Sequence, residues 1–296
     1  MNGDFKPRGI IPAMVTPLDD EGNIDEASLR HLVDYLISGG VHGLLVAGSQ
    51  GEAYALTPKE KEEILKIVVD EARGRVPVYA GTGAITTRET IALSRMAEEL
   101  RADAVLVITP YFISPSNAEL YNHYLAVANA THLPIILYTN PARTGVNLDV
   151  DLVAKLSKAD NIVGIKDSSG DLSQTMEYIR RCGDDFSVLA GRDTLIYATL
   201  QCGGTGAISA TANVVPGLVV EIYEAFMAGD FEKSLTAQYR LAPLRQAFSM
   251  GTFPVVVKEA LALMGMCSAR AIAPVGPLAE DKRQKLKGIL KELGAL

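Results

Sequence analysis

The chain is poor in the residues that build metal centres and disulfide frameworks. Its three cysteines, Cys182, Cys202 and Cys267, are odd in number, far apart and without a CxxC among them. Its four histidines show neither HxH nor HExxH spacing. That pattern gives no metal cluster, and reduced, buried thiols in a reducing cytoplasm are expected instead. Long apolar runs are missing as well. None approaches the roughly 18 uninterrupted residues of a membrane-crossing helix. The N-terminal MNGDFKPRGIIPAMVTPL also lacks the apolar core of a signal peptide. Positive charge is scarce: 28 Lys and Arg stand against 35 Asp and Glu, for a net charge of −7. With no basic run, such a surface repels phosphate backbones, so neither nucleic acid nor membrane is the expected partner. A cytoplasmic protein that handles a small molecule is the class left standing.

What is present is a regular alternation. Short runs rich in Val and Ile fall at 9–17, 43–49, 76–83, 104–110, 134–141, 162–168, 186–193 and 204–210. They suit strands buried on both faces, as in a parallel sheet. Between them lie amphipathic helical stretches. One starts at Thr57-Pro58-Lys59-Glu60, with Thr as N-cap and Pro at the first helical position. Another opens at Thr86, with capping-box spacing to Glu89. Strand and helix alternating eight times allow a closed barrel or an open doubly wound sheet. Nothing after the first run resembles GxGxxG, and eight strands favour the (β/α)8 TIM barrel of the α/β class. Residues 1–229 are read as the barrel. Residues 230–296 are read as a three-helix C-terminal extension, packed rigidly because no Pro/Ser-rich linker precedes it.

In such a barrel, catalytic groups sit at the C-terminal ends of strands. Lys166 ends the apolar run Asn161-Ile-Val-Gly-Ile165, an unusual place for a lysine. Desolvation there favours the neutral, nucleophilic amine. The structural alternative is a lysine paired with a carboxylate such as Asp167. Tyr138 ends the preceding strand and could relay protons beside an iminium. Gly48-Ser49-Gln50-Gly51-Glu52 offers backbone N–H donors for a carboxylate or oxyanion. Arg143 could clamp a second carboxylate or make a rim salt bridge. Gly203-Gly204-Thr205-Gly206 could hold phosphate, but it has no basic companion. Backbone packing against the substrate pocket is the preferred reading there.

Four motifs, Gly48-Ser-Gln-Gly-Glu52, Tyr138-Thr-Asn-Pro-Ala-Arg-Thr-Gly145, Gly164-Ile-Lys-Asp167 and Gly203-Gly-Thr-Gly-Ala-Ile-Ser209, occur in order. Together they resemble the dihydrodipicolinate synthase / N-acetylneuraminate lyase family of class I aldolases, from about Gly9 to the end. The resemblance implies that Lys166 forms an iminium with pyruvate or a related 2-oxo acid. It implies that Tyr138 shuttles protons and that Ser49 links Tyr138 to a second tyrosine. The Ser49 and Gln50 amides, with Gly48 beside them, would hold the 2-oxo acid's carboxylate. Ile208 would line the imine pocket, and Arg143 would hold the carboxylate of an aldehyde acceptor. No cofactor or metal is implied, because the protonated imine is the electron sink. A homotetramer built as a dimer of dimers is.

The chain departs from the family pattern at positions that bear on its substrate. Gln50 stands where the synthase branch carries a second threonine, and Phe112 stands where the second tyrosine is expected, leaving Tyr111 as a partial substitute. Arg143 favours the synthase branch. Gln50, Phe112 and the 252–259 stretch favour a catabolic aldolase, dehydratase or deaminase of hydroxylated 2-oxo acids. A barrel that binds a 2-oxo acid without turning it over is the alternative of another class.

Overall fold

The computed structural model describes residues 5–296. Eight short strands carry the architecture: β1 (Gly9–Pro12), β2 (Leu44–Val46), β3 (Val78–Gly81), β4 (Ala104–Ile108), β5 (Ile135–Thr139), β6 (Ile162–Asp167), β7 (Ser187–Ala190) and β8 (Gly206–Ser209). All pair in parallel, in the order β1-β8-β7-β6-β5-β4-β3-β2. The ring closes between β1 and β2 through an Ala13–Leu45 bridge, where Met14 N donates to Leu45 O at 2.9 Å. The expected TIM barrel is therefore what the chain builds.

Alternation along each strand sorts the side chains into two cores. Ile11, Leu45, Tyr79, Leu106, Ile136, Tyr138, Leu189 and Ile208 point inward and fill the barrel. Ile10, Leu44, Val105, Leu137, Ile165 and Ala207 point outward against the helices. With both faces covered, strands need no polar alternation, which is why the sequence shows near-continuous apolar runs. The helices begin where capping chemistry allows. Thr57 and Glu60 form a full capping box on the helix Pro58–Ala72, and Thr86 accepts from Glu89 N at the start of Thr87–Glu99. A second full box, Ser116 with Glu119, starts Asn117–Ala128 and escaped the sequence reading.

The glycine run before β8 requires a correction. Gly206 begins β8, so residues 203–206 lie at the N-terminal end of the barrel, opposite the mouth. Gly206 N-terminal pairing is with Gly9, and a Cβ on Gly206 would meet Gly9 O at 2.1 Å. These glycines let two strands approach; they neither cradle phosphate nor back the substrate pocket.

After the closing helix Pro216–Met227 come Phe231–Ala247, Val255–Leu263 and Glu280–Glu292. Phe231–Ala247 packs along Pro216–Met227 and sends Gln238 Nε2 to Asp193 O at 2.9 Å, near the barrel mouth. Among the described residues no helix is long and apolar enough to cross a membrane.

Candidate active site

Tyr138 and Lys166 are registered side by side on β5 and β6. Both point into the barrel at its C-terminal end, and both are almost fully buried. Lys166 Nζ sits over the Tyr138 ring, 4.3 Å from its centroid. Asp167, one residue on, faces the other way. Its carboxylate accepts from Ser169 N at 2.8 Å and Thr175 Oγ1 at 2.7 Å. Lys166 makes no ion pair among the described residues, so the structural lysine–Asp167 pair is not formed.

The Tyr138 hydroxyl accepts a hydrogen bond from Asn140 Nδ2 at 2.9 Å. Burial alone would raise the phenol's pKa, but the Lys166 charge, Asn140 and the Ser168 and Ser49 hydroxyls together bring it below its ordinary value. A phenol that releases its proton more easily, touching a buried amine, suits proton transfer at a carbon bound to that amine. Asn140 was legible only as part of a motif; its contact with Tyr138 depends on the turn that Pro141 imposes.

A cavity of about 320 Å³ opens over this pair, lined by Ser49, Gln50, Asn140, Arg143, Ser168 and Ile208 among others. Ser49 and Gln50 come from the loop after β2. Neither of their amide N–H groups is taken up by the loop's own hydrogen bonds. Gln50 is 3% exposed, yet both polar atoms of its side chain lack a partner, as does Ser168 Oγ. The Ser168 hydroxyl is near enough to the Tyr138 phenol to help lower its pKa. Buried polar groups left unsatisfied cost about 1–3 kcal/mol each, so a cavity that carries several is made for a polar ligand.

The loop is held from two directions. Gly51 lies so close to Met14 O that a Cβ would stand 2.9 Å from it. Glu52, with φ of 60°, accepts from Ile272 N at 2.7 Å and pairs with Lys258, whose Nζ also donates to Arg270 O at 2.7 Å. Burial holds the Lys258 ammonium below its ordinary pKa, against the pull of Glu52.

Arg143 lies in the short helix Pro141–Thr144, with its guanidinium 4.7 Å from the Phe253 ring centroid. It borders both the Lys166 cavity and a second, more apolar one of about 360 Å³. Gly48 and Tyr111 line the second cavity together with Ser49, Tyr138 and Arg143, which line the Lys166 cavity as well. Phe112 has φ of 72° and is 95% exposed, directed to the outside. Among the described residues no three His, Cys, Asp or Glu converge as metal ligands.

An eight-stranded barrel with a buried lysine and tyrosine at its mouth defines a class of proteins that do chemistry at strand ends. Comparison with known proteins narrows the class. Residues 6–293 match the model of the Dihydrodipicolinate synthetase family, and the chain belongs to that family. It is 43% identical over 294 residues to the 4-hydroxy-tetrahydrodipicolinate synthase of Methanopyrus kandleri, covering 99% of this chain and 98% of that one. The dihydrodipicolinate synthase of Thermotoga maritima superposes with a TM-score of 0.96 at 35% identity, covering 99% of this chain and 100% of that one. The chloride-inhibited enzyme from Acinetobacter baumannii, complexed with pyruvate, superposes at 0.95 with 37% identity, over 98% and 99% of the two chains.

Proposed function

We propose that the chain is a Schiff-base lyase acting on pyruvate, with 4-hydroxy-tetrahydrodipicolinate synthase as its activity. The observation that carries the reading is the unpaired, buried Lys166 amine stacked on Tyr138. Lys166 Nζ attacks C2 of pyruvate; the carbinolamine loses water and becomes an iminium. That positive nitrogen draws electrons from C3, a C3 proton leaves, and the enamine attacks the aldehyde carbon of aspartate semialdehyde. Tyr138 carries the protons these steps move. Ser49 and Gln50 amides hold the pyruvate carboxylate, Ile208 flanks the imine, and Arg143 binds the carboxylate of the acceptor. Full-length identity to curated synthases and the retained Arg143 support the synthase over a catabolic aldolase.

The second tyrosine of the relay is replaced by Phe112, and Tyr111, which lines one cavity with Tyr138 and Ser49, is a partial substitute for it. Exposed Phe112 beside that cavity supports assembly into the homotetramer the family resemblance implies, which sedimentation tests. The activity is tested by supplying pyruvate with aspartate semialdehyde. Turnover that vanishes in Lys166→Ala is expected. No turnover of that pair, alongside cleavage of a 4-hydroxy-2-oxo acid, would overturn the synthase reading in favour of the catabolic one.

A further inference from the structure

The ladder between β1 and β8 stops at the barrel mouth, where Pro12 pairs with Ser209 and Ala13 N donates to Ser209 O at 2.8 Å. Beyond that point one side chain takes over the pairing. Asn213 lies in the tight turn Thr211–Asn213 that follows β8 and is fully buried. Its Oδ1 accepts from Val15 N at 3.1 Å. Its Nδ2 donates to Ala13 O at 2.7 Å and to Ala210 O at 2.9 Å. Both amide protons and the amide oxygen are thus engaged by backbone. Asp193 fixes the turn from the other side, accepting from Thr211 N at 2.8 Å and Ala210 N at 3.4 Å.

Thr16 carries the connection onward. It is buried, and its Oγ1 donates to Gly51 O at 2.8 Å. Gly51 fits against this segment because it has no side chain: a Cβ would stand 2.9 Å from Met14 O and 3.3 Å from Thr16 Oγ1. Among the described residues no backbone N–H is donated to Gly51 O, so Thr16 is the group that fixes this carbonyl. Gly51 directly follows Ser49 and Gln50, which line the Lys166 cavity along with Ala13, Ile208 and Ala210. One run of buried hydrogen bonds therefore joins the β8 rim, the segment after β1 and the loop after β2. It reaches that loop separately from the Glu52–Lys258 pair.

We propose that Asn213 and Thr16 are positioning residues for pyruvate. They act in series, through residues 13–16, to hold the Ser49–Gln50 loop in the shape that receives the carboxylate. The inference rests on the reading that the Ser49 and Gln50 amides bind that carboxylate. Neither side chain lines the Lys166 cavity, so each acts through the backbone it holds. A loop fixed before the ligand arrives removes the cost of ordering it on binding. Loss of the tether should accordingly appear in the affinity for pyruvate, with the rate at saturation little changed. Arg143, which the same reading gives to the acceptor, lies in the helix Pro141–Thr144, outside this run of hydrogen bonds. The KM for aspartate semialdehyde is therefore an internal control.

Steady-state kinetics on a short variant series test it. Thr16→Val keeps the side chain's shape and removes the hydroxyl. Its KM for pyruvate should rise about tenfold, with kcat within about twofold of the parent and the KM for aspartate semialdehyde unchanged. Thr16→Ser keeps the hydroxyl and should restore most of the pyruvate KM. Asn213→Asp still accepts from Val15 N but sets an oxygen against Ala13 O and Ala210 O, and it should shift the pyruvate KM in the same direction. Acting in series, the double variant Thr16→Val/Asn213→Asp should be no worse than the worse of the two singles. A purely structural role would lower kcat through loss of folded enzyme and leave KM where it was. An unchanged pyruvate KM in Thr16→Val, an equal rise in both KM values, or effects that multiply in the double variant overturns the proposal. Should Asn213→Asp fail to fold, the two Thr16 variants decide. Gly51→Ala, which displaces the loop directly, separates the tether from the reading beneath it. If Gly51→Ala raises the pyruvate KM and Thr16→Val does not, only the tether falls; if neither raises it, the carboxylate reading fails as well.

Discussion

Glu52 and Lys258 form an ion pair with no exposed surface on either side chain. It joins the loop that follows β2 to the helix Val255–Leu263, so the C-terminal helices help fix the backbone of Ser49 and Gln50. Two buried charges gain little over a well-packed apolar pair, but removing one strands the other, at a cost of about 3–5 kcal/mol. Lys258→Met or Glu52→Gln alone should therefore lower the melting temperature by on the order of 10 °C. The double variant Glu52→Gln/Lys258→Met should recover much of that loss. Where a single variant still folds, its KM for pyruvate should rise more than its kcat falls, because the loop loses its anchor. Calorimetry and steady-state kinetics on the three variants check both points.

Tyr138→Phe keeps the ring beneath Lys166 Nζ and removes only the hydroxyl. If that hydroxyl relays protons, kcat should fall about 10²-fold or more, within the range of general acid–base catalysis. Trapping of the imine at Lys166 should still occur, though more slowly. A wild-type rate in Tyr138→Phe would assign the relay elsewhere.

His123 provides a pH test unconnected with the chemistry. Its Nδ1 is 2.9 Å from Thr87 Oγ1, its Nε2 is buried without a partner, and burial pushes its pKa down from 6.5 to about 4. The folded chain keeps this imidazole neutral where the unfolded chain protonates it. Its contribution to stability is thus full above 6.5 and is lost as pH falls from 6.5 to about 4. The loss amounts to about 3 kcal/mol. Urea midpoints across that window should fall less steeply for His123→Phe than for the parent chain.

Lys166, Tyr138 and Arg143 could be read from the sequence because strand ends in a barrel converge on one mouth. Ser49 and Gln50 could be read because their loop follows a strand directly. Gly203 to Gly206 went astray for the same reason inverted: they precede their strand, and the sequence pattern did not weigh which end of the barrel that selects. The partnership of Glu52 with Lys258 was not legible, since it depends on a helix folding back across the barrel mouth from far along the chain. The tether from Asn213 to the segment after β1 was hidden in the same way, because the two meet only when the barrel ring closes. The buried isolation of the Gln50 amide is likewise a property of three-dimensional packing, although its identity marked the position as unusual.

The central claim is that Lys166 forms an imine with a 2-oxo acid. Incubation with pyruvate and borohydride, followed by peptide mass mapping, tests it most directly. A pyruvate-derived mass increase confined to the peptide that contains Lys166, and absent in Lys166→Ala, is the predicted result. An unmodified Lys166, or modification spread equally over other lysines, would contradict the account.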